Sequence, residues 1–394
     1  MTHARLSPSA AHRWLNCTRS VTLEEQFPDS TSDAALEGTI AHAICALLLT
    51  ALKAQGTYDV EEIQIIAQQG GDGYTAEEYA DWYSADMMQY AEGYANYVWN
   101  EYQAQLKTTR DTVLMVETKI DITAYGKDMT GTTDATIVSD SILRIFDFKY
   151  GRGVRVDAKD NPQMMIYALG NVEEHSSMYA FKGVTMTIYQ PRIGNIVSYS
   201  MLVKDLLKWG TLTLKPKASD AYAGKGKYAA GAWCKFCKAK AVCRECANVC
   251  TADYKEQHER SVDTLNDDEL VGIITQADDI TSWLDSVKSY ASEQLKNGKP
   301  IKGLKLVEGR STRKYSDVNK IAELLISSGF SEEQIYEKKL KALTAMQKTL
   351  TKKTFDALLT DLIVKPQGAP TLALESDPRP IFNDPSNEFE NLDI

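Results

Sequence analysis

The chain has 394 residues, of which 43% are hydrophobic, enough for a sizeable core and, by length, for two or three domains. Its formal net charge of -10 argues against a protein that coats nucleic acid non-specifically, although an acidic body can still carry one basic groove. Because we find neither an apolar run of roughly 18 residues nor a signal peptide, we expect an intracellular protein without membrane segments. In that compartment disulfides are rare, so the seven cysteines need another explanation.

The first third of the chain is predicted to be helical. Ser7 as N-cap and Pro8 at the first helical position indicate a helix that ends near Cys17. A second helix is expected over Ala34–Lys53. From Ala76 to Leu106 apolar residues recur every three or four positions, which predicts one long amphipathic helix. Its aromatic residues could stack on bases, but this spacing is more typical of core packing.

The pattern then changes to the alternation of strands, in which successive side chains point to opposite faces. The predicted elements are strands Val113–Ile120, Thr130–Val138 and Ile142–Lys149, a helix from Asn161–Pro162 to about Gly170, strands Val184–Gln190 and Ile196–Leu202, and a helix over Lys204–Ala223 with a possible break at Pro216.

The composition changes again after the cysteine-rich segment. Helices are predicted at Asp267–Asn297, Asp317–Ser327 and Lys339–Thr360, with a short β-like stretch at Leu304–Gly309. From Pro366 onward the chain is acidic and rich in proline, which is typical of disorder. We therefore predict three regions. The first is a domain over residues 1–250, the second a mainly helical accessory domain over 251–365, and the third an acidic tail over 366–394.

Two of the predicted strands each carry one aspartate, and the second also carries a lysine. Asp147 and Lys149 are two residues apart in one strand, so their side chains point into the same space. Asp134 belongs to the preceding strand. Paired carboxylates hold Mg²⁺ in enzymes that hydrolyse phosphodiesters, and a nearby lysine can orient the attacking water or stabilise developing negative charge. The sequence therefore predicts a nuclease centre.

Further side chains fit around this triad. Glu117 lies in the preceding strand and is a further candidate ligand. His42 can add an imidazole, which favours Mn²⁺ over Mg²⁺. The backbone carbonyl of Phe148 is also expected within reach of a metal. Gln163 and Tyr167 are four residues apart on one helical face, which places them toward the same site or toward DNA.

Each motif alone has a purely structural explanation. A salt-bridged strand pair also produces Asp-x-Lys, and a single histidine on an apolar helix, such as His42, is more often part of a core. The order and the spacing of all the pieces together favour the functional interpretation.

Four motifs in this order resemble those of the RecB-type branch of the PD-(D/E)XK nucleases. They are Gly38-Thr39-x-x-His42, Gly131-x-x-Asp134, Asp147-x-Lys149 and Gln163-x-x-x-Tyr167, which span about 130 residues. The resemblance implies an α/β fold with a mixed central sheet flanked by helices. It also implies that His42, Asp134 and Asp147 bind Mg²⁺ or Mn²⁺, that Lys149 is catalytic, and that the helix with Gln163 and Tyr167 supports the site.

The cysteines allow two interpretations. Local spacing favours a structural zinc site made by two Cys-x-x-Cys pairs, Cys234 with Cys237 and Cys243 with Cys246. The five residues between the pairs are few for a zinc ribbon, in which roughly 12–20 are usual. Cys45, on an apolar helix, is expected to be a core residue.

The second interpretation is an iron–sulfur cluster, which also needs four thiolates. Cys17 together with Cys234-x2-Cys237-x5-Cys243 resembles the cluster ligands of AddB-type and CRISPR-adaptation nucleases, and the neighbouring sequence resembles phage-borne members of this branch. The resemblance implies a [4Fe-4S] cluster that staples the N-terminal helix to the end of the catalytic domain, without a redox role. Cys246 departs from that pattern as a spare thiol.

Basic residues suggest where DNA could bind. The segment from Lys204 to Arg244 has ten basic residues and two acidic ones. A solvated helix face would have a similar composition. The candidate DNA-binding residues are Arg152, Arg155, Lys225 and Lys227.

Together these features predict a metal-dependent DNA exonuclease that acts on double-stranded ends or single strands. The resemblance implies a role in phage recombination or replication in the cytoplasm of a bacterial host, with a single-strand annealing protein as partner. One alternative is a DNA-trimming nuclease of CRISPR-like acquisition or of defence. Another is a non-catalytic scaffold that binds DNA ends, which would not need Asp134, Asp147 and Lys149. An oligomer is possible.

Overall fold

The computed structural model describes residues 4–28, 32–252, 267–307 and 316–337, and shorter stretches between residues 339 and 364. The chain forms two compact units, residues 1–293 and residues 294–394. All the predicted site residues lie in the first unit. The predicted acidic tail lies outside the described residues.

Helices precede the sheet in the first unit. Ser7 is the N-cap of a short 3₁₀ helix, Pro8–Ala10, with the proline at the predicted position. The α-helices that follow are α1 (Ala11–Asn16), α2 (Ser20–Glu24), α3 (Asp33–Gln55), α4 (Val60–Ala67), α5 (Ala76–Trp82) and α6 (Ala85–Thr108).

The prediction of one long helix over residues 76–106 is wrong, because the chain forms α5 and α6 instead. Tyr83 has an extended backbone, with φ -64° and ψ 140°. The next residue, Ser84, is an N-cap whose side chain accepts a hydrogen bond from the Met87 N–H. This cap starts a new helix without disturbing the apolar spacing. The aromatic residues pack in the core as expected, with Tyr79 and Tyr94 both buried.

A five-stranded mixed sheet forms the centre of the first unit, and this part of the fold prediction is confirmed. Its strands are β1 (Val113–Asp121), β2 (Thr130–Val138), β3 (Ile142–Phe148), β4 (Gly183–Gln190) and β5 (Asn195–Leu202). They lie side by side in chain order. β3 and β4 are parallel, and the other neighbouring pairs are antiparallel. The parallel pair needs a crossover, which α7 (Pro162–His175) supplies.

Helices cover both faces of the sheet because its central strands are apolar on both sides. Ile145 and Ile188 lie in one core together with residues of α7. Phe146 and Phe148 lie in a second core together with residues of α3 and α6. Cys45 belongs to this second core, as expected. Polar groups at the strand ends are therefore held between two packed layers, which fixes their positions.

The chain beyond β5 is also largely helical. The predicted break in this segment occurs before Pro216, as a π-helical turn at Gly210–Leu214 between α8 (Val203–Trp209) and α9 (Lys215–Tyr222). The cysteine-rich segment contains a 3₁₀ helix, Ala232–Phe236, and α10 (Arg244–Cys250). The long helix α11 (Asp267–Lys296) follows, close to its predicted bounds.

In the described part of the remaining chain, the helices are α12 (Val318–Ser327), α13 (Glu332–Ile335) and α14 (Lys352–Leu359). The predicted strand at Leu304–Gly309 is wrong for its described part, since residues 304–307 are irregular. The predicted helix Lys339–Thr360 begins too early, because Lys339 and Leu340 are not helical.

Helix α3 is, among the described residues, the one helix long and apolar enough to cross a membrane. Core helices pass the same test. Seven of its residues are buried, and they belong to the core that α3 shares with α6 and the sheet. Its apolar composition is thus explained by packing, and the described part of the chain has no clear membrane span.

Two glycines near the predicted site provide a test of this packing. A Cβ on Gly131 would lie 2.8 Å from Tyr167 Cε1 and 2.9 Å from Pro8 Cγ, whereas a Cβ on Gly38 would meet nothing within 4 Å. We expect Gly131→Ala to lower the free energy of unfolding by about 1–3 kcal/mol through overpacking. Gly38→Ala should raise it by roughly 0.5–1 kcal/mol through helix propensity. Urea denaturation measures both, and a similar effect of the two changes would contradict this packing.

Candidate metal centre

Two aspartates lie where the hydrogen-bonded ladder between β2 and β3 ends. The paired positions stop at Ala135 and Phe146, so Asp134 and Asp147 are the next opposed positions. The Phe148 N–H donates a hydrogen bond of 2.7 Å to Asp134 Oδ2. Two carboxylates from neighbouring strands are therefore held side by side at one end of the sheet.

His42 and Glu117 complete a group of metal-ligating side chains around Asp134. One ligand atom from each of the three residues lies within 4.8 Å of the other two. His42 Nδ1 is 3.3 Å from Asp134 Oδ1. No other such group of three occurs within the described residues. An imidazole and two carboxylates form a donor set that suits Mn²⁺ and also accepts Mg²⁺.

Glu117 has a backbone conformation that is rare for a residue with a side chain. Its φ is +47°, in the left-handed region. The β1–β2 ladder is interrupted at Glu117 and Asp134 and continues on either side, at Val116–Ala135 and Thr118–Thr133. Strain of this kind costs about 1–3 kcal/mol and is concentrated at functional sites. Here it accompanies the one carboxylate of the group that comes from β1.

A second network extends from Asp147. Lys149 Nζ lies 2.9 Å from Asp147 Oδ2, so the two side chains share one space as predicted. Lys149 Nζ also donates to Gln163 Oε1 at 3.1 Å. Gln163 Nε2 lies 3.0 Å from Asp147 Oδ1 and 3.2 Å from the Tyr167 hydroxyl. The α7 residues therefore orient the lysine and the aspartate, and the Asn161 side chain caps the start of their helix.

The charged groups of the site shift one another's pKa values. Burial lowers the pKa of His42, but the charge and hydrogen bond of Asp134 and the charge of Asp147 together outweigh it and raise that pKa to about 9. Burial raises the pKa of Asp134, yet His42 and the Phe148 N–H together hold it below its usual value. Burial raises the pKa of Asp147, and Lys149 offsets this only in part. Burial lowers the pKa of Lys149, but the charges of Asp147 and Asp134 and the hydrogen bond to Asp147 together raise it above its usual value.

Glu117 is influenced by the same neighbours. Glu117 is exposed, but the protein atoms packed around its carboxylate, followed by the charge of Asp134, raise its pKa to about 7, although His42 acts in the opposite direction. Without a metal, His42 and Glu117 therefore retain protons at neutral pH that a metal would displace.

A partly buried ion pair holds the helix that carries His42. Arg192 Nη1 donates to Glu37 Oε2 at 2.8 Å, and its guanidinium lies 4.4 Å from the centroid of the Tyr150 ring. The His42 ring also packs edge-on against Phe148. These contacts link α3 to the end of β3 and to the turn after β4.

The four cysteines of the predicted cluster line one small cavity of about 10 Å³. These cysteines are Cys17, Cys234, Cys237 and Cys243, and Cys246 lines the same cavity. Among the described residues, no three thiols have all their sulfur atoms within 4.8 Å of one another. A hydrogen bond with Cys246 lowers the pKa of Cys234 to about 6, whereas burial raises the pKa of Cys237 to about 12.

The N-terminal helices are tied to this cysteine-rich segment by polar contacts. Glu24, only 5% exposed, accepts hydrogen bonds from Arg13 Nη1 at 2.5 Å and from the Lys238 N–H at 2.8 Å. The Thr18 hydroxyl donates to the Lys225 carbonyl. Contacts between protein groups therefore tie the N-terminal helices to the cysteine-rich segment.

The four candidate DNA-binding residues, Arg152, Arg155, Lys225 and Lys227, are all exposed. Among the described residues, no contact of their charged groups with the carboxylates of the site was found. Their role stays a prediction.

Three features of the site were missed by sequence reasoning. The first is the pair between Glu37 and Arg192, which are far apart in sequence and meet only in the fold. The second is Glu24, whose burial has no local signal. The third is Lys119, which lies beside the site, and the two-residue spacing from Glu117 on one strand could have revealed it.

The model of a family described as "Protein of unknown function (DUF2800)" matches residues 3–380. The chain belongs to this family. The match extends over both compact units of this DUF2800 chain. Among solved structures, the chain is similar to one described as "Crystal structure of SSO0001", with 12% identity over 58% of this chain and 95% of that chain. The TM-score is 0.22.

For this member of the DUF2800 family, we expect Mn²⁺ affinity to rise with pH between about 6 and 9. His42 and Glu117 coordinate only after they lose their protons, which the shifts to about 9 and about 7 delay. Each proton displaced contributes up to roughly tenfold in affinity per pH unit below its pKa. Calorimetric titration in buffers of different ionisation enthalpy counts these protons. His42→Ala should remove the part of the rise in affinity that occurs at higher pH. An Mn²⁺ affinity that does not change with pH would contradict this set of ligands.

Proposed function

We propose that this protein is a divalent-metal-dependent nuclease that hydrolyses phosphodiester bonds in DNA. The main support for the proposal is that two sets of side chains lie next to each other at one end of the sheet. The ligand group of His42, Glu117 and Asp134 lies next to the network in which Lys149 contacts Asp147. The motif order that resembles RecB-type PD-(D/E)XK nucleases adds support, because the motif residues of the strands and of α7 meet at this place.

The donor chemistry of the site fits a divalent ion. His42, Glu117 and Asp134 would hold it, with Asp147 and the predicted carbonyl of Phe148 as further candidate ligands. Three carboxylates with one imidazole also supply the negative charge that such an ion neutralises. A bound Mg²⁺ or Mn²⁺ would polarise the scissile phosphate. It would also lower the pKa of a bound water, which makes a hydroxide nucleophile more available near neutral pH.

The side chains of the second network have separate tasks in this proposal. Lys149, held as an ammonium ion, donates hydrogen bonds and can stabilise negative charge on the phosphate oxygens or hold the attacking water. Gln163 orients both Lys149 and Asp147 through its amide. Tyr167 supports Gln163 through its hydroxyl and packs against Gly131. Gln163 and Tyr167 are thus positioning residues.

We also propose that Cys17, Cys234, Cys237 and Cys243 hold a [4Fe-4S] cluster. Their presence around one cavity supports this, and so does the framework that ties α1 and α2 to the cysteine-rich segment. The contribution of the cluster would be structural, since hydrolysis moves no electrons.

The expected substrate is a DNA end, and the expected setting is phage recombination or replication beside a single-strand annealing protein. Both come from the sequence resemblance. The exposed basic residues of the segment that carries the cysteines give the acidic chain one region able to bind phosphates.

Digestion of DNA tests the nuclease proposal. With Mn²⁺ or Mg²⁺, we expect wild-type protein to degrade end-labelled linear DNA and to leave covalently closed circles intact. Lys149→Ala should slow cleavage by about 10²–10³-fold, the usual cost of removing one donor to developing charge. The matched control is Lys107→Ala, an exposed lysine near the end of α6.

The outcomes of this experiment are distinct. If folded wild-type protein with both metals leaves all DNA intact, the enzymatic proposal fails. Cleavage of closed circles would show an endonuclease instead. Equal rates for Lys149→Ala and Lys107→Ala would exclude the proposed role of Lys149.

The colour of the purified protein tests the cluster. Protein purified without oxygen should be brown, and Cys17→Ala should lose the visible absorbance because one of four ligands is missing. Cys45→Ala serves as the control, since Cys45 is buried in the other core and does not line the cavity. A colourless wild-type protein with one equivalent of zinc would overturn the assignment.

A further inference from the structure

A cleft of about 790 Å³ opens directly beside the candidate metal centre. Its walls are α3, the second half of β1 with the start of β2, and the end of α4 with the loop that follows it. His42 and Glu117 belong both to its lining and to the ligand group. The cleft is therefore continuous with the place where a scissile phosphate would lie.

The α3 wall of the cleft is formed by small side chains. Gly38, His42, Ala46 and Thr50 follow one another at intervals of four, so they lie along one face of the helix. Ala46 lines the cleft but is not part of the packed core, so the space in front of it is open. On the opposite side, Ile66 offers an apolar surface that is 42% exposed.

Lys119 supplies a positive charge in this cleft. It is two residues from Glu117 on β1, and its strand partner Thr132 also lines the cleft. Its side chain is exposed, and its ammonium group has no ion pair or hydrogen bond within the described part of the chain. A cation without a partner, next to a centre rich in carboxylates, is available for an anionic ligand.

We propose that this cleft binds a single strand of nucleic acid adjoining the scissile phosphate, with Lys119 contacting a backbone phosphate. The inference rests on the proposed nuclease function, and it specifies that the site takes single-stranded nucleic acid. A duplex presents the phosphates of two strands, one charge per roughly 1.7 Å. The cleft has one unpaired cation, Lys119, two carboxylates, Asp72 and Glu117, and otherwise mostly apolar, small and hydroxyl-bearing side chains. One cation suits one phosphate of a single strand better than the phosphates of two strands.

Fluorescence anisotropy with a labelled oligothymidylate of roughly ten nucleotides tests the assignment. All proteins carry Lys149→Ala to suppress cleavage and are measured with Mn²⁺. Lys119→Ala should weaken binding by about tenfold and lower the slope of log affinity against log salt by about 0.7, as expected for one lost phosphate contact. Ala46→Trp, which fills the cleft, should also weaken binding by about tenfold. Lys107→Ala and Ala54→Trp, at exposed positions outside the cleft, are the matched controls and should stay within about twofold.

Binding of the same oligonucleotide by both cleft variants as tightly as by the controls would overturn the proposal. An equal loss of affinity for a blunt duplex of the same length would overturn the single-strand assignment. The two proposals fail separately. If wild-type protein cleaves no DNA but the cleft variants lose oligonucleotide binding, the nuclease function falls and the strand-binding cleft stands. If wild-type protein cleaves DNA and the variants bind normally, only the cleft assignment falls.

Discussion

One constraint shapes the rest of the structure. Several carboxylates are held close together at the end of a sheet, which costs free energy. Asp147 is 2% exposed and faces Asp134, and removing each such charge from water costs several kcal/mol. The protein offsets this with His42 beside Asp134 and Lys149 beside Asp147. The result is a set of groups with displaced pKa values, a pattern typical of functional sites. A divalent ion would replace the protons that His42 and Glu117 retain.

The fold holds this arrangement from both faces of the sheet. One core packs α7 under the sheet and brings Gln163 and Tyr167 to Asp147. The other core packs α3 and α6 over it and brings His42 to Asp134. The ion pair of Glu37 and Arg192 fixes α3 from a third direction. The N-terminal helices, held against the cysteine-rich segment, contribute Pro8, which packs against Gly131 at the start of β2.

Much of this could be predicted from local periodicity. Strand alternation was sufficient to place Asp147 and Lys149 together, and helical spacing placed Gln163 with Tyr167. The break at Ser84 could not be predicted, because the apolar spacing continues across it and the N-cap is the sole local signal. The left-handed backbone of Glu117 and the position of Cys246 in the thiol cavity also had no local signal. Both are set by contacts between segments distant in sequence.

The central claim is that His42, Glu117 and Asp134 bind the divalent ion of a nuclease. Anomalous diffraction from crystals soaked in Mn²⁺ tests it directly. The account predicts a manganese peak within coordination distance of the His42 imidazole and the Asp134 carboxylate, at about 2.0–2.3 Å. It also predicts that the peak disappears in Asp134→Asn crystals. Manganese bound elsewhere in crystals of active protein, with these three side chains still in mutual contact, would contradict the claim.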